Sequence, residues 1–203
     1  MTSVCVITLG CSKNTVDTEH LLAQLPADDF DVIAPERIGG TRVDYLLLNT
    51  CGFIGDAKEQ SVNAILEAIE CKKRGEAGQV VVFGCLSQRY AKELPDEIPE
   101  VDAWFGARDL APVVRYLGAV PRNFTDRFNP EQKPYAFLKI SEGCDRRCSY
   151  CAIPYIRGAH RSVPMEDLVE EAEKLASKGV KELILIAQDT TFYGLDLYHR
   201  RAL

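Results

Sequence analysis

Three short apolar runs, Val4–Leu9, Tyr45–Asn49 and Gln79–Phe83, each lead into a cysteine one or two residues further on: Cys11, Cys51 and Cys85. Continuous apolar runs of this length, Tyr-Leu-Leu-Leu-Asn above all, are strands buried on both faces. Segments of helical period lie between and after them. Thr15–Leu25 is a predicted helix, and Lys58–Cys71 places Val62, Ile65, Leu66 and Ile69 at i, i+3, i+4 and i+7. Asp109–Leu117 repeats that pattern, with Asp109 as expected N-cap and Gly118 as stop. Phe30–Ala34 is a weaker strand. Alternating strands and helices imply an α/β fold with a parallel sheet, flavodoxin- or Rossmann-like.

Open parallel sheets take ligands at the carboxyl ends of their strands. Three thiols on three such loops are expected to face one crevice. Gly10, Gly52 and Gly84 adjoin them, and glycine permits close backbone approach to a bound object. Cys11, Cys51 and Cys85 therefore read as a three-cysteine site; the alternative is three buried structural thiols. Cys5, inside a strand, and Cys71, near a helix end, have no partner at ligand spacing. Asn14 and Asp17 read as helix-start residues.

The reading changes at residue 119. The stretch 119–134 holds Pro121, Pro130 and Pro134, lacks periodicity and is expected to link 1–118 to 135–203. A second α/β pattern follows: strand Tyr135–Ile140, a cysteine loop, helix Met165–Ser177, Gly179 and strand Glu182–Ala187. Two strands cannot bury a parallel sheet, so the chain is expected to be a fragment of a longer polypeptide.

The loop carries Cys144, Cys148 and Cys151 as Cys-x₃-Cys-x₂-Cys. Three thiolates so close can hold three irons of a 4Fe–4S cubane, which usually takes four cysteines. With no fourth cysteine in the segment, one iron is left open, and an open position distinguishes a reactive metal centre from a structural one. A zinc site would need His160 at an unusual spacing. A helix face would need a run not bracketed by Gly143 and Pro154. Arg157 and Arg161 follow the loop as candidates to bind a carboxylate or substrate, or as a solvated basic stretch. Gln188, Asp189 and Thr190 follow the last strand, where a barrel keeps its functional residues. His20 and His199 are assigned no role.

Composition narrows the setting. Eight cysteines in a chain without a signal-peptide pattern point to metal or redox chemistry in the cytoplasm rather than to disulfides. No apolar run approaches the roughly 18 residues of a membrane span. A net charge of −6 argues against this segment being a primary nucleic-acid surface and suits a basic partner.

The Cys-x₃-Cys-x₂-Cys run after a strand resembles the radical S-adenosylmethionine (SAM) superfamily. Leu9-Gly10-Cys11-Ser12-Lys13-Asn14, Asn49-Thr50-Cys51-Gly52-Phe53-Ile54 and Gly84-Cys85-Leu86 resemble the amino-terminal region of its methylthiotransferases. The resemblance implies two 4Fe–4S clusters. Cys144, Cys148 and Cys151 would hold the one whose open iron chelates SAM and whose electron cleaves it to methionine and a 5′-deoxyadenosyl radical. Cys11, Cys51 and Cys85 would hold an auxiliary cluster that carries or donates sulfur. It further implies a partial TIM barrel beginning at residue 135, with Arg157, Gln188 and Asp189 as SAM or substrate contacts. Leu-Gly-Cys-x-Lys-Asn, Asn-Thr-Cys-Gly-Phe-Ile and Ile-Arg-Gly-x-x-Arg-Ser resemble the branch that methylthiolates the β-carbon of an aspartate in ribosomal protein uS12. That branch implies uS12 or the small ribosomal subunit as partner and an electron donor such as flavodoxin. The alternatives are the branch acting on a tRNA adenosine and a non-enzymatic, metal-stabilised cysteine-rich module. The family's remaining barrel and its carboxyl-terminal TRAM β-domain, the expected nucleic-acid contact, do not occur in these 203 residues, so the chain alone is not expected to turn over.

Overall fold

The computed structural model describes residues 1–38, 40–128 and 133–203. Pro130, one of the three prolines of the expected linker, lies outside the described residues. The amino-terminal half runs β1 (Thr2–Thr8), α1 (Ser12–Ala23), β2 (Phe30–Ile33), β3 (Val43–Thr50), α2 (Gly55–Lys73), β4 (Ala77–Gly84), α3 (Cys85–Arg89), α4 (Leu94–Glu97), β5 (Ala103–Trp104) and α5 (Ala111–Tyr116). Its five strands are all parallel, in the order β2-β1-β3-β4-β5. That is the flavodoxin-like order, in which the chain leaves β1 toward one edge and returns to continue toward the other.

Period-two alternation explains why β3 is apolar throughout. Leu46 and Leu48 pack with Ile65, Ala68 and Ile69 of α2 on one face. Leu47 packs with Leu21 and Leu22 of α1 and Val113 and Val114 of α5 on the other. All three leucines are fully buried. Burying each contributes about 1.5–3 kcal/mol of transfer free energy, so a strand with no polar face is stable only between two helical layers.

The expected strands appear within a few residues of their places, and α1 and α2 start three residues earlier than the periodicity indicated. The short α3, α4 and β5 carry too few turns for a periodic signal. Asp109 is not the N-cap of α5, which is Leu110. The Asp109 carboxylate still caps the turn by accepting from Ala111 N at 2.9 Å, while Gly118, at φ +89°, ends the helix as expected.

The second half comprises β6 (Tyr135–Lys139), β7 (Ser141–Glu142), α6 (Ile153–Arg157), β8 (Arg161–Ser162), α7 (Met165–Ser177), β9 (Glu182–Ile186) and α8 (Leu195–Tyr198). β6 and β9 pair in parallel with α7 between them in sequence, a βαβ unit, and β7 pairs antiparallel with β8. Leu183 and Leu185 on β9 are exposed, so this apolar strand is not sandwiched as β3 is. Among the described residues no helix is long and apolar enough to cross a membrane.

The stretch 119–128 has no helix or strand, but it does not hang free. Thr125 and Arg127 are buried, Phe124 and Phe128 pack on the α1 side of the sheet, and Phe128 N donates to Glu19 O. Its aperiodic sequence conceals a strap held by side chains.

Candidate metal centre

The sheet delivers Cys11, Cys51 and Cys85 to the carboxyl ends of β1, β3 and β4. β1 and β3 flank the point where strand order reverses, the edge at which this topology opens a crevice. Cys11 is the N-cap of α1 and exposed; Cys51 is half-buried; Cys85 opens α3 and is buried. Backbone approach packs the three loops tightly. A methyl group at Gly10 would lie 2.6 Å from Cys51 Cβ and 3.0 Å from its Sγ. One at Gly52 would lie 2.7 Å from Leu86 Cα and 3.0 Å from the Cys85 carbonyl carbon. Ser61, buried on α2, fixes the second loop by accepting from Cys51 N at 3.0 Å and donating to Cys51 O at 2.9 Å.

Asn14, expected to be a helix-start residue, is the third residue of α1, and Asp17 lies a turn further in; both are buried, and α1 has no side-chain N-cap bond. Asn14 Nδ2 donates to Leu9 O at 2.8 Å and Thr50 O at 3.2 Å, which ties the Cys11 loop to the Cys51 loop. The signal for both was available: positions 14, 17, 18 and 21 form one i, i+3, i+4, i+7 stripe, and a stripe facing a core forces its polar members inward.

Those inward polar groups meet Arg157, the last residue of α6. For Arg157 a solvated setting is excluded, because this guanidinium is buried with all three of its nitrogens engaged. Nε donates to Cys85 Sγ at 3.1 Å, Nη1 to Asp17 Oδ2 at 2.7 Å and Glu142 Oε2 at 3.1 Å, and Nη2 to Asn14 Oδ1 at 2.6 Å. Lys139 donates to Asp17 and, at 2.8 Å, to Glu142, so two cations balance two carboxylates. Burial by itself would raise the Asp17 pKa; Lys139 and then Arg157 outweigh it and bring it down to about 2. Burial pushes the Cys85 thiol up to about 11 against the opposing pull of Arg157. Burial would likewise lower Lys139, but Asp17 and Glu142 hold it above its ordinary value.

Cys144, Cys148 and Cys151 lie on the loop between β7 and α6, where no regular element forms, so their spacing is not a helix face. Cys144 N donates to Gly158 O and Cys151 N to Cys148 O, both at 3.0 Å, which pins the base of the loop. Cys148 is exposed and the other two are half-buried; Cys148 and Cys151 border a cavity of about 430 Å³ with Arg147, Pro154 and Tyr155. His160 is turned away from them, with Nε2 at 3.1 Å from Ser162 Oγ. Among the described residues no three His, Cys, Asp or Glu side chains converge as on a single metal ion. A cubane's protein sulfurs sit on separate irons around the cube, so they do not converge in this way.

Gln188 and Asp189 reach the same region without touching the cysteines. Gln188 Nε2 donates to Glu142 Oε1 at 2.8 Å, and its own buried Oε1 has no partner among the described residues. Asp189 accepts from Thr191 Oγ1 at 2.6 Å and from Arg146 Nε at 2.5 Å. Those two bonds hold its carboxyl below the usual range, and Arg146 also stacks on Phe192 at 4.7 Å. Asp189 thus anchors the cysteine loop. Arg161 is exposed on β8. A second buried network, invisible to sequence reading, joins Arg127 to Glu19 and, at 2.6 Å, to Glu171, which also meets His20 at 3.2 Å.

Two family models match separate stretches of the chain. Residues 3–106 match the model of the uncharacterized protein family UPF0004. The chain belongs to that family. Residues 138–203 of this UPF0004 member match the Radical SAM superfamily, as the cysteine loop led one to expect. Two curated relatives are each 54% identical and each named ribosomal protein uS12 methylthiotransferase RimO. The one from Christiangramia forsetii aligns with 98% of this chain and 43% of its own length, the one from Porphyromonas gingivalis with 95% and 44%. The chain therefore spans less than half the length of these relatives. Among solved structures, the radical S-adenosylmethionine methyltransferase TsrM from Kitasatospora setae superposes with a TM-score of 0.66 at 13% identity, over 98% of this chain and 49% of its own. The cobalamin-dependent radical enzyme OxsB gives 0.56 at 11% identity, over 94% and 34%. At these identities the likeness is one of fold, and it covers both halves of the chain.

Proposed function

We propose that this chain is the cluster-binding part of a radical SAM transferase that adds a methylthio group to the β-carbon of an aspartate in ribosomal protein uS12. The observation that carries the proposal is the 54% identity, over nearly the whole chain, to relatives bearing that name. In this reading residues 1–118 form the methylthiotransferase unit, 119–134 the connection and 135–203 the first part of a radical SAM barrel. Cys11, Cys51 and Cys85 hold an auxiliary 4Fe–4S cluster, and Cys144, Cys148 and Cys151 hold the SAM-binding one. The donor sets suit such groups: each offers three cysteine sulfurs, the first set on the loops after β1, β3 and β4 and the second on the loop between β7 and α6. When bound, the clusters and SAM supply one-electron chemistry and sulfur; the protein supplies placement and shielding.

The chain's own groups have definite tasks. Asp189 and Arg146 fix the loop of Cys144 to Cys151. Glu142 orients Gln188, whose buried Oε1 has no partner among the described residues. Asn14 and Ser61 hold the first two strand-end loops at a set separation. The reading places the protein in the cytoplasm with the small ribosomal subunit and an electron donor such as flavodoxin.

The test is a deletion strain complemented with the full-length gene. Mass spectrometry is expected to find methylthiolated uS12; methylthio-adenosine in tRNA with uS12 unmodified would overturn the choice of substrate. Replacing Cys144, Cys148 and Cys151 together by Ala is expected to remove about half the iron of the reconstituted full-length protein. Zinc without iron or sulfide would support the non-enzymatic alternative.

A further inference from the structure

We propose that Arg157 is a positioning and tuning residue for the auxiliary cluster: it donates an N–H bond to the Cys85 sulfur and so raises the cluster's reduction potential. The inference rests on the reading of Cys11, Cys51 and Cys85 as cluster ligands. It adds a dependence of one cysteine site on the segment that carries the other.

The geometry singles out one bond. Arg157 Nε lies 3.1 Å from Cys85 Sγ, while its other two nitrogens are committed to Asp17, Glu142 and Asn14. These oxygens fix the guanidinium plane, so the Nε–H is aimed rather than merely near. The Arg157 and Asp17 side chains are buried at 2% and 7% exposure, so water does not compete for the bond. Of the three strand-end sulfurs, only that of Cys85 receives a side-chain N–H among the described residues. Hydrogen bonds to ligand sulfur and local charge are established levers on iron–sulfur potentials. A donor withdraws electron density from the thiolate and favours the reduced cluster, so its loss drives the potential more negative. The connection is also topological. Arg157 follows Cys151 by six residues on α6, and Cys144 N is bonded to Gly158 O next to it. The loop that carries one cysteine set thus also positions the donor to the other.

The experiment uses full-length protein carrying C144A, C148A and C151A, reconstituted anaerobically so that only the auxiliary cluster is present. Iron and sulfide analysis comes first: absence of a cluster with Arg157 intact overturns the underlying assignment, independently of Arg157. With the cluster present, EPR-monitored redox titration is expected to give a more negative midpoint in Arg157→Gln and partial recovery in Arg157→Lys. Should Arg157→Gln fail to fold because Asp17 is left with Lys139 alone, Asp17→Asn with Arg157→Gln restores the balance of charge and is titrated instead. Unchanged midpoints in the variants that load the cluster overturn the proposal. A second readout needs no substitution. ENDOR of the reduced cluster in H₂O against D₂O is expected to show a coupled exchangeable proton at the ligand sulfur, and its absence would equally overturn the proposal.

Discussion

Gly84 joins β4 to the helix that presents Cys85, and replacing it by Ala isolates what that junction requires. Its backbone, at φ +104° and ψ −157°, lies in a region essentially confined to glycine and costs another residue about 1–3 kcal/mol. A methyl group there would also stand 2.6 Å from Asn49 Oδ1, 2.7 Å from Thr50 O and 2.8 Å from Thr50 N. Two of those atoms are backbone held in the β3–β4 pairing at the strand end and cannot swing aside, so overpacking adds about 1–3 kcal/mol. The expected loss is about 2–6 kcal/mol. Gly75→Ala is the control. Gly75 also has positive φ, at +79°, but a methyl there meets nothing within 4 Å, leaving only the left-handed penalty of about 1–2 kcal/mol. Urea unfolding of both variants at unchanged m-value reads the difference directly. If Gly84→Ala is no less stable than Gly75→Ala, the steric argument at the strand end is wrong.

Two further outcomes are expected. Arg127→Ala leaves Glu171 with His20 alone, unpairs the Phe137 carbonyl from its donor and frees Glu19. It should cost about 3–5 kcal/mol and expose the 119–128 stretch to limited proteolysis; unaltered protease resistance would show that the strap is held by its phenylalanines instead. Asp17 has its folded pKa brought down to about 2 from an ordinary 3.8, so the stability it contributes is complete above the ordinary value and lost as pH falls toward 2. Acid titration of stability is expected to show a loss of about 2 kcal/mol in that window that Asp17→Asn lacks, and identical acid limbs for the two proteins would refute it.

Sequence reading recovered the six longer strands and the three longest helices, α1, α2 and α7, because their apolar residues recur at the periods that burial demands, whereas the two-residue strands β5, β7 and β8 are too short to carry a period. Leu46, Leu47 and Leu48 announce a strand covered on both sides before any partner is known. The cysteines were legible for a related reason: a strand end is a fixed place in a parallel sheet, so Cys11, Cys51 and Cys85 could be grouped without knowing the strand order. The polar lattice between the halves was not legible. Asp17 and Arg157 are 140 residues apart, and neither has a local pattern that names the other. Arg127 sits in a stretch whose prolines suggested a plain connector, although its guanidinium is among the most buried charges in the chain. Pairings of this kind are decided by docking of preformed pieces, and only the sequence of each piece is periodic.

The long reach of these ion pairs has a consequence for synthesis. A chain emerging at about 5–20 residues per second delivers Arg157 about 7–28 s after Asp17. Until Arg127 reaches Glu19, and Lys139 and then Arg157 reach Asp17, these carboxylates keep their water, and α1 cannot settle fully against what will cover it. The amino-terminal half is therefore born with a wet, negatively charged seam. That seam dries only when the second half arrives, and the step that closes it also brings the Arg157 guanidinium to the Cys85 sulfur.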